Sequence, residues 1–329
     1  MDDLNSKITH AYNLKDAKIY KDRGFYNVTS KGITGIVSKL SCKTDHIIFI
    51  HKVKEYLYSC GFNNIDRFFL TTQELPYFLC DNTPYALSEK IKLPEADFTD
   101  NNAFINIVLS VSNMHKLMKG FSFEQDLPRI IEPYGDKYKK SLTALKKIKN
   151  RLSAERRLSD FDVLFLKNYS FYCARLGEAI KLISDTKLNE YMREAPYKGY
   201  FCHNLLKEEN LLVKGDKVFI TNFSECGIGY YIFDLESLVR RYAKNLPEKY
   251  LPLKDVINIY NKYNTLGVDE INILYSLLKY PDKFIKVCIQ HYSKKRSFTP
   301  GIINIRMQNE INKKERYEAY IDELMATSK

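Results

Sequence analysis

Residues 202 to 236, CHNLLKEENLLVKGDKVFITNFSECGIGYYIFDLE, gather side chains able to move protons or hold ions. His203, Lys207, Glu208, Glu209 and Asn210 come first, Asn222, Ser224 and Glu225 follow, and Asp234 stands near the end. An imidazole can anchor a loop or shuttle a proton, a lysine can meet an anion, and a side-chain amide can offer its oxygen to a cation. The intervening residues set limits on this chemistry. Leu205 has no lone pair, so it can neither orient nor deprotonate a hydroxyl. The amide of Asn222 can coordinate a cation but brings no charge against it. Leu211–Val213 and Val218–Thr221 read as short strands joined around Gly215-Asp216, a two-residue hairpin signal.

The spacing of this strip resembles the kinase pattern H-x-D-x-x-x-x-N followed by an apolar strand. Counted forward from His203 or back from Asn210, the place of the Asp is held by Leu205. Twelve residues past Asn210, where a kinase carries the metal-holding Asp of D-F-G or D-F-D, stands Asn222-Phe223-Ser224. General-base catalysis contributes about 10²–10⁴ in rate, or roughly 3–5 kcal/mol, and Leu205 forfeits it. Packing under the loop is the reading of that leucine. Glu208 and Glu209 lie beyond the base position, and catalytic geometry tolerates little displacement. Magnesium favours hard, charged oxygens and neutralises phosphate charge in phosphoryl transfer, so Asn222 is a serious loss. Ser224, at the second acid of the Asp-Phe-Asp form, compounds it. Glu225 is adjacent, but on an extended segment it points to the other side.

The retained positions read as architecture. The resemblance makes Asn210 the match of the metal-holding Asn, with hydrogen bonding to loop backbone as its task here. Lys207 stands where protein kinases carry a lysine that touches the transferred group; a solvated loop lysine is the equal alternative. His203 anchors the loop through a buried hydrogen bond, because a buried imidazole needs partners. By resemblance, Asp234 accepts hydrogen bonds from the same loop. Lys39 is the lysine of the expected third strand, where kinases place the phosphate-pairing Lys, though its register from Gly32 runs about two residues late. Glu55 is its candidate partner, against a plain solvated helix face. No G-x-G-x-x-G loop covers phosphates, and Gly24 and Gly32 read as hairpin punctuation.

With 329 residues, 45% of them hydrophobic and 28% charged, the chain can bury a sizeable core and suits two lobes. The N-terminus, MDDLNSKITHAYNL, has no basic start and no apolar core, which argues against a secretory signal. No apolar run approaches the ~18 residues that span a bilayer. The seven cysteines are scattered and never paired as C-x-x-C, the pattern of reduced thiols in a cytosolic compartment. The six histidines form no H-x-x-x-H pair, so no metal site is expected. Net charge is +11, and much of the excess lies between Lys137 and Arg157, where nine basic residues meet one acid, Glu155. Leu142, Leu145, Ile148 and Leu152 recur through that run, so 137–157 reads as an amphipathic helix with a basic outer face. A solvated face is the plain account, docking on an anionic surface the alternative. A nucleic-acid binder is disfavoured, because no recognition motif accompanies the charge.

Residues 17 to 42 read as short antiparallel strands broken by Gly24, Gly32 and Gly35. Ile47 to Cys60 is a helix, and Pro76 to Ile91 a hairpin around Asp81-Asn82-Thr83-Pro84. Lys90–Pro94 is the expected hinge. Asp100 caps a helix whose buried face is Phe104, Val108, Val111, His115 and Met118, ended by Gly120; His115 is read as a core residue. Ser159 and Asp162 resemble a capping box opening a helix to about Ile183. Leu235, Leu238, Val239 and Tyr242 form another helical stripe, with three or four helices beyond.

RGFYNVTSKGITGIVSKL, FIHKVKEYLYSCGF, VLSVSNMHKLMKGFS, YFCHNLLKEENLLV, FDLESLVRRYAKN and LLKYPDKFIKV resemble the CotS-type spore-coat family of endospore-forming bacteria. That family shares the aminoglycoside/choline-kinase-like branch of the protein-kinase fold. The resemblance implies a bilobal α+β protein: an antiparallel-sheet N-lobe over 1–91 and a mainly helical C-lobe over 92–329 carrying the degenerate loop. It implies a non-catalytic spore-coat module made in the mother-cell cytoplasm and deposited on the forming spore. Other coat proteins would be its partners, with no membrane, no metal and no cofactor. The alternative is an ATP-dependent, Mg²⁺-using phosphotransferase of the aminoglycoside/choline-kinase type with atypical residues.

Overall fold

A computed structural model describes residues 2–22, 24–123, 133–293 and 300–326. In chain order the first elements are α1 (Asp2–Ala11), β1 (Lys18–Asp22), β2 (Phe25–Ser30), β3 (Ile33–Lys39), α2 (Thr44–Ser59), β4 (Phe78–Cys80), β5 (Thr83–Glu89) and α3 (Asn101–Met118). Three helices follow: α4 (Tyr134–Leu152), α5 (Asp160–Ser184) and α6 (Leu188–Lys198). Short strands β6 (Phe201–Cys202), β7 (Leu211–Lys214), β8 (Lys217–Ile220) and β9 (Gly227–Ile228) precede α7 (Ile232–Lys244). The chain ends in α8 (Leu253–Tyr260), α9 (Val268–Lys279), α10 (Asp282–Tyr292), α11 (Pro300–Asn312) and α12 (Lys314–Ala326).

Packing divides the chain into an N-terminal unit, Met1–Glu124 with Pro196–Gly229, and a C-terminal unit, Gln125–Ala195 with Tyr230–Lys329. The strip around His203 therefore packs with the N-terminal elements, whereas the 91/92 boundary expected from sequence puts it with the C-terminal helices. Backbone bonds explain the difference. Ile220 N–H donates to Asn64 O at 3.0 Å, Val213 N–H to Pro94 O at 2.9 Å and Ala96 N–H to Leu211 O at 2.7 Å. These bonds stitch the β7–β8 hairpin to the segments that precede β4 and follow β5.

Five strands of the N-terminal unit form an antiparallel sheet in the order β1-β2-β3-β5-β4. Its β4–β5 turn places Asp81 and Asn82 at φ 49° and 57°, the left-handed pair that a two-residue hairpin requires. Gly35 does not break a strand as the sequence reading has it; it lies within β3. A Cβ there would come within 2.7 Å of both Leu87 Cδ1 and Ser88 O, so glycine permits the close β3–β5 approach. Val28, Val37 and Leu87 are buried on one face against Ile8, Tyr12 and Leu14. Helix α1 carries Ile8 and Tyr12 follows it directly, and nothing in the polar segment DDLNSKITHA advertises it as a helix that covers a sheet. Helix α2 buries Ile47, Phe49, Ile50, Val53 and Leu57. In α3, Asp100 caps by accepting from Asn102 and Ala103 N–H, and His115 is buried.

The C-terminal unit is helical in every described element, from α4 and α5 through α7 to α12. Ser159 and Asp162 close a capping box at the start of α5. Helix α4 ends at Leu152, short of the expected 157, and five helices follow α7 among the described residues where three or four were expected. Tyr138, Ser141, Leu145, Ile148 and Leu152 are the buried face of α4. Lys139, Lys140, Lys146, Lys147 and Lys149 are exposed opposite it. Lys279 of α9 pairs with Asp322 at 2.8 Å, Glu178 at 3.3 Å and Glu318, and Arg175 meets Glu318 at 3.0 Å. This cluster binds α5, α9 and α12 together.

The docking of α1 turns on one polar contact. Leu87 N–H donates to Tyr12 Oη at 3.0 Å, and burial pushes the Tyr12 phenol up to about 12 against the opposing effect of that bond. Tyr12→Phe leaves a buried N–H without its acceptor and should lower stability by about 1–3 kcal/mol at neutral pH, measured by urea unfolding. The raised phenol favours folding below pH 10, and that share is lost as pH climbs toward 12. The gap between wild type and Tyr12→Phe should therefore narrow over that range; parallel curves would refute the assignment.

Candidate functional site

Strand β6 pairs antiparallel with β9, Phe201 opposite Ile228 and Cys202 opposite Gly227, and delivers the chain to His203 in the buried interior of the N-terminal unit. His203 is fully buried. Its Nε2 meets Thr221 O at 3.1 Å, and its Nδ1 accepts the Leu205 N–H at 3.2 Å. These two bonds fit one tautomer, with the proton on Nε2. A neutral imidazole so placed fixes the loop on one side and the β8 exit on the other. Asn204 takes the left-handed conformation, φ 63°, and donates from Nδ2 to Glu225 O at 2.9 Å.

Leu205, at the place of the missing base, is half-buried, and its neighbour Leu206 is the residue that packs under the loop at 1% exposure. The carbonyl of Leu205 accepts two bonds, from Lys207 N–H at 2.9 Å and from Asn210 Nδ2 at 2.9 Å. Lys207, partly exposed, pairs with Glu209 inside the loop. A single 3-10 turn, Glu208–Asn210, leads into β7.

Asn210 is buried and its polar atoms are taken. The carbonyl accepts Thr221 N–H at 2.9 Å and Thr221 Oγ1 at 3.2 Å. The amide nitrogen holds Leu205 O, and Oδ1 accepts Asn222 Nδ2 at 3.2 Å. The two residues that match a kinase's metal-holding positions are thus joined directly to each other. Asn222 adopts φ 59°, a conformation Asn tolerates better than most residues, and its N–H donates to Asp66 Oδ2 at 3.4 Å. Phe223 is buried edge-on to the His203 ring, centroids 4.6 Å apart. Ser224 contributes its backbone carbonyl, which meets His46 Nε2 at 3.0 Å.

Two residues behind this motif carry no motif signature. Lys54 of α2 is 1% exposed, with Nζ 2.5 Å from Asp66 O and 3.0 Å from Asp66 Oδ1. It also lies 4.1 Å from the Phe68 ring centroid and 5.4 Å from that of Phe223. Asp66 thereby joins α2 to the backbone of Asn222. A signal for Lys54 existed: it stands four residues after Ile50 and three before Leu57, inside the apolar stripe of its helix. Asp66 sits in irregular chain, where periodicity says nothing.

Lys39 and Glu55 do not form the expected pair. Lys39 is exposed at the end of β3, opposite Tyr85 in register. Glu55 instead takes a two-pronged bond from Arg67, Nε to Oε1 at 3.0 Å and the terminal nitrogen to Oε2 at 2.5 Å. The register explains it: residues 35 and 37 on the same face as Lys39 are buried toward α1, so the lysine belongs to that face. Asp234 lies in the C-terminal unit, buried in the first turn of α7.

A magnesium ion with nucleotide phosphates does not fit this donor set. Asn210 and Asn222 offer neutral amides already bonded to each other, and the nearby carboxylate, Asp66, is compensated by Lys54. Among the described residues no group of three His, Cys, Asp or Glu side chains could hold a metal ion.

The sheet with its helix α2, the hairpin-borne strip and the helical remainder, with 55% of the described residues helical, define a protein-kinase-like fold. A solved aminoglycoside phosphotransferase from Alicyclobacillus acidocaldarius is similar at TM-score 0.82 and 16% identity, covering 95% of this chain and 92% of that one. The AMP-bound spectinomycin phosphotransferase APH(9)-Ia is similar at TM-score 0.63 and 15% identity, over 100% and 99% of the two chains. A microcompartment-associated aminopropanol kinase is similar at TM-score 0.54 and 14% identity, over 98% of each. At these identities the likeness is one of fold. No curated protein matches the chain. The chain belongs to the spore-coat family described as "Spore coat putative kinase YutH", which matches residues 5–324.

Removing one member of the Lys54–Asp66 pair strands the other in a dry site. Lys54→Met should cost about 3–5 kcal/mol, read by urea unfolding. Asp66→Leu should cost a similar amount, and the double variant should cost less than the sum by at least about 1 kcal/mol. Strict additivity would show that the two charges do not depend on each other.

Proposed function

We propose that this chain is a non-catalytic, kinase-like module of the spore coat, made in the mother cell and deposited on the forming spore, where it contacts other coat proteins. Membership of a spore-coat family supports the coat role. The observation that carries the non-catalytic part is the bond from Asn222 Nδ2 to Asn210 Oδ1. The kinase pattern sets an Asn at the place of 210 and a carboxylate at that of 222, whose charge calls for a cation; with Asn222 in place of that carboxylate, the two amides satisfy each other without one. Leu205 adds a second deficit, since no side chain at that place can take a proton. Active-site losses of this kind are often non-additive, and either alone would cripple phosphoryl transfer. The exposed basic face of α4, Lys139 to Lys149, is the region we assign to contact with anionic coat surfaces, a contact that weakens with added salt.

A second reading draws on Asn210 and Lys207, which keep the residue types of a working loop. It is an ATP-dependent phosphotransferase acting on a small hydroxylated molecule. It requires the Asn210–Asn222 bond to open and charge for the metal to come from outside the described cluster.

Thermal-shift titration with Mg-ATP, followed by product detection, separates the two. A ligand at a hundred times its Kd stabilises by about 2.7 kcal/mol, a shift of several degrees. The wild-type chain should show no magnesium-dependent shift and no product. Leu205→Asp with Asn222→Asp should gain a magnesium-dependent shift, because the second substitution restores charge where the amide pair now closes the site. Turnover by the wild-type chain that disappears in Asn210→Ala would establish the enzyme instead.

A further inference from the structure

The C-terminal unit contains a cavity of about 400 Å³ bounded by α4, α7, the end of α9 and the start of α10. That volume lies in the range of small-molecule sites. Six basic side chains line it, Lys137, Arg240, Arg241, Lys244, Lys283 and Lys286, against two acidic ones, Glu236 and Asp282. Part of this charge is compensated locally. Arg240 is held by Glu236 and donates to Leu277 O at 2.6 Å, and Lys286 pairs with Asp282 at 2.9 Å. The acids are thereby spent on two of the six cations.

The remaining walls are aromatic. Tyr134 stacks on Phe233 with centroids 5.0 Å apart, and Tyr138 on Tyr280 at 4.1 Å. Lys137 lies over the Tyr134 and Tyr280 rings at 5.3 and 5.8 Å, which fixes its ammonium at the cavity. Lys244 is largely enclosed, its side chain 13% exposed, with Glu310 3.9 Å away. A recess lined by one sign of charge with low-dielectric walls concentrates counter-ions. Rigid rings beside lysines suit a ligand with an anionic head and a flat apolar body.

We propose that this cavity binds a small cyclic or aromatic dianion, its charged head between Lys137, Lys244 and Lys283 and its ring against the tyrosine pairs. Every residue named belongs to the C-terminal unit, so the proposal stands whether or not the Asn210–Asn222 bond bars nucleotides. The state of Lys244 agrees with it. Burial lowers its pKa to about 7, Arg240 and Lys283 push the same way, and Glu310 and Asp282 oppose them. The other charged groups facing the cavity are Lys137, Arg241 and Lys286, all cationic, and Glu236, held by Arg240. An anion seated here raises the Lys244 pKa, so binding takes up a proton and is tighter below pH 7 than above it.

The test is calorimetry on the full chain with phenyl phosphate, inorganic phosphate and a benzenedisulfonate, whose charge does not vary near neutral pH. The two aromatic anions should bind, phenyl phosphate more tightly than inorganic phosphate, and the disulfonate should weaken as pH rises through 7. Lys137 and Lys283 are exposed, so Lys137→Ala with Lys283→Ala keeps the fold and should weaken binding at least about tenfold. Lys244→Met should abolish the pH dependence; if it does not fold, the surface pair carries the test. No heat with any probe, equal affinity in the paired variant, or equal heat from sodium chloride at matched ionic strength would overturn the proposal.

Discussion

The buried ion pair between Lys54 and Asp66 is the contact on which the candidate site depends. Bringing a lysine to 1% exposure costs several kcal/mol in desolvation, recovered only if the partner geometry is good. Asp66 meets that demand with two oxygens, its carbonyl at 2.5 Å and Oδ1 at 3.0 Å. The other carboxylate oxygen is left for the N–H of Asn222. Helix α2, the irregular segment before β4 and the Asn222-Phe223-Ser224 motif are therefore one electrostatic unit. The same pairing decides what Asp66 can do. A carboxylate already neutralised by an ammonium and committed to a backbone donor has little charge left for a metal.

With that carboxylate committed, the two amides determine the rest. The kinase pattern keeps an Asn at the place of 210, and a carboxylate at the place of 222 would call for a bound cation. Asn222 can donate and Asn210 can accept, so the pair closes on itself at 3.2 Å. Thr221 and His203 extend the closure: Thr221 donates twice to Asn210 O, and its own carbonyl meets the His203 ring. The arrangement of a phosphotransfer loop survives because its backbone bonds never required the acids. Leu205 and Asn222 stand at the places of the two acids, and the hydrogen-bonded scaffold around them is intact.

The legible parts of the sequence are those where local chemistry dominates. Capping at Asp100 and at Ser159, the Gly215 hairpin and the stripe Leu235, Leu238, Val239 and Tyr242 each follow from neighbours within a turn or two. Loop spacing from His203 to Asn222 was legible for the same reason, since register along a short hairpin is fixed by the chain itself. What was not legible is long-range pairing. Lys39 and Glu55 were paired by analogy with a strand register that shifts by about two residues, and in the fold Glu55 meets Arg67 while Lys54, its sequence neighbour, turns inward. Neighbouring helix positions point about a hundred degrees apart, so an error of one residue exchanges a surface carboxylate for a buried ammonium. Helix α1 was missed because its polar composition hides Ile8, which docks it together with Tyr12 just past its end.

The C-terminal unit separates its charges by sign, and the separation bears on how the excess of basic residues is used. Around Lys279, three carboxylates, Glu178, Glu318 and Asp322, meet one ammonium, with Arg175 supporting Glu318. In the cavity between α4 and α10 the balance is reversed. If the net charge of +11 served solubility alone, the cations would lie on open faces such as that of α4, where water screens them. Lys244 does not: burial first, and Arg240 and Lys283 after it, lower its pKa to about 7, while Glu310 and Asp282 oppose them. Glu310, 3.9 Å away, is the carboxylate paired with Lys244, and the aromatic anion we propose would add a second counter-charge beside the tyrosine walls.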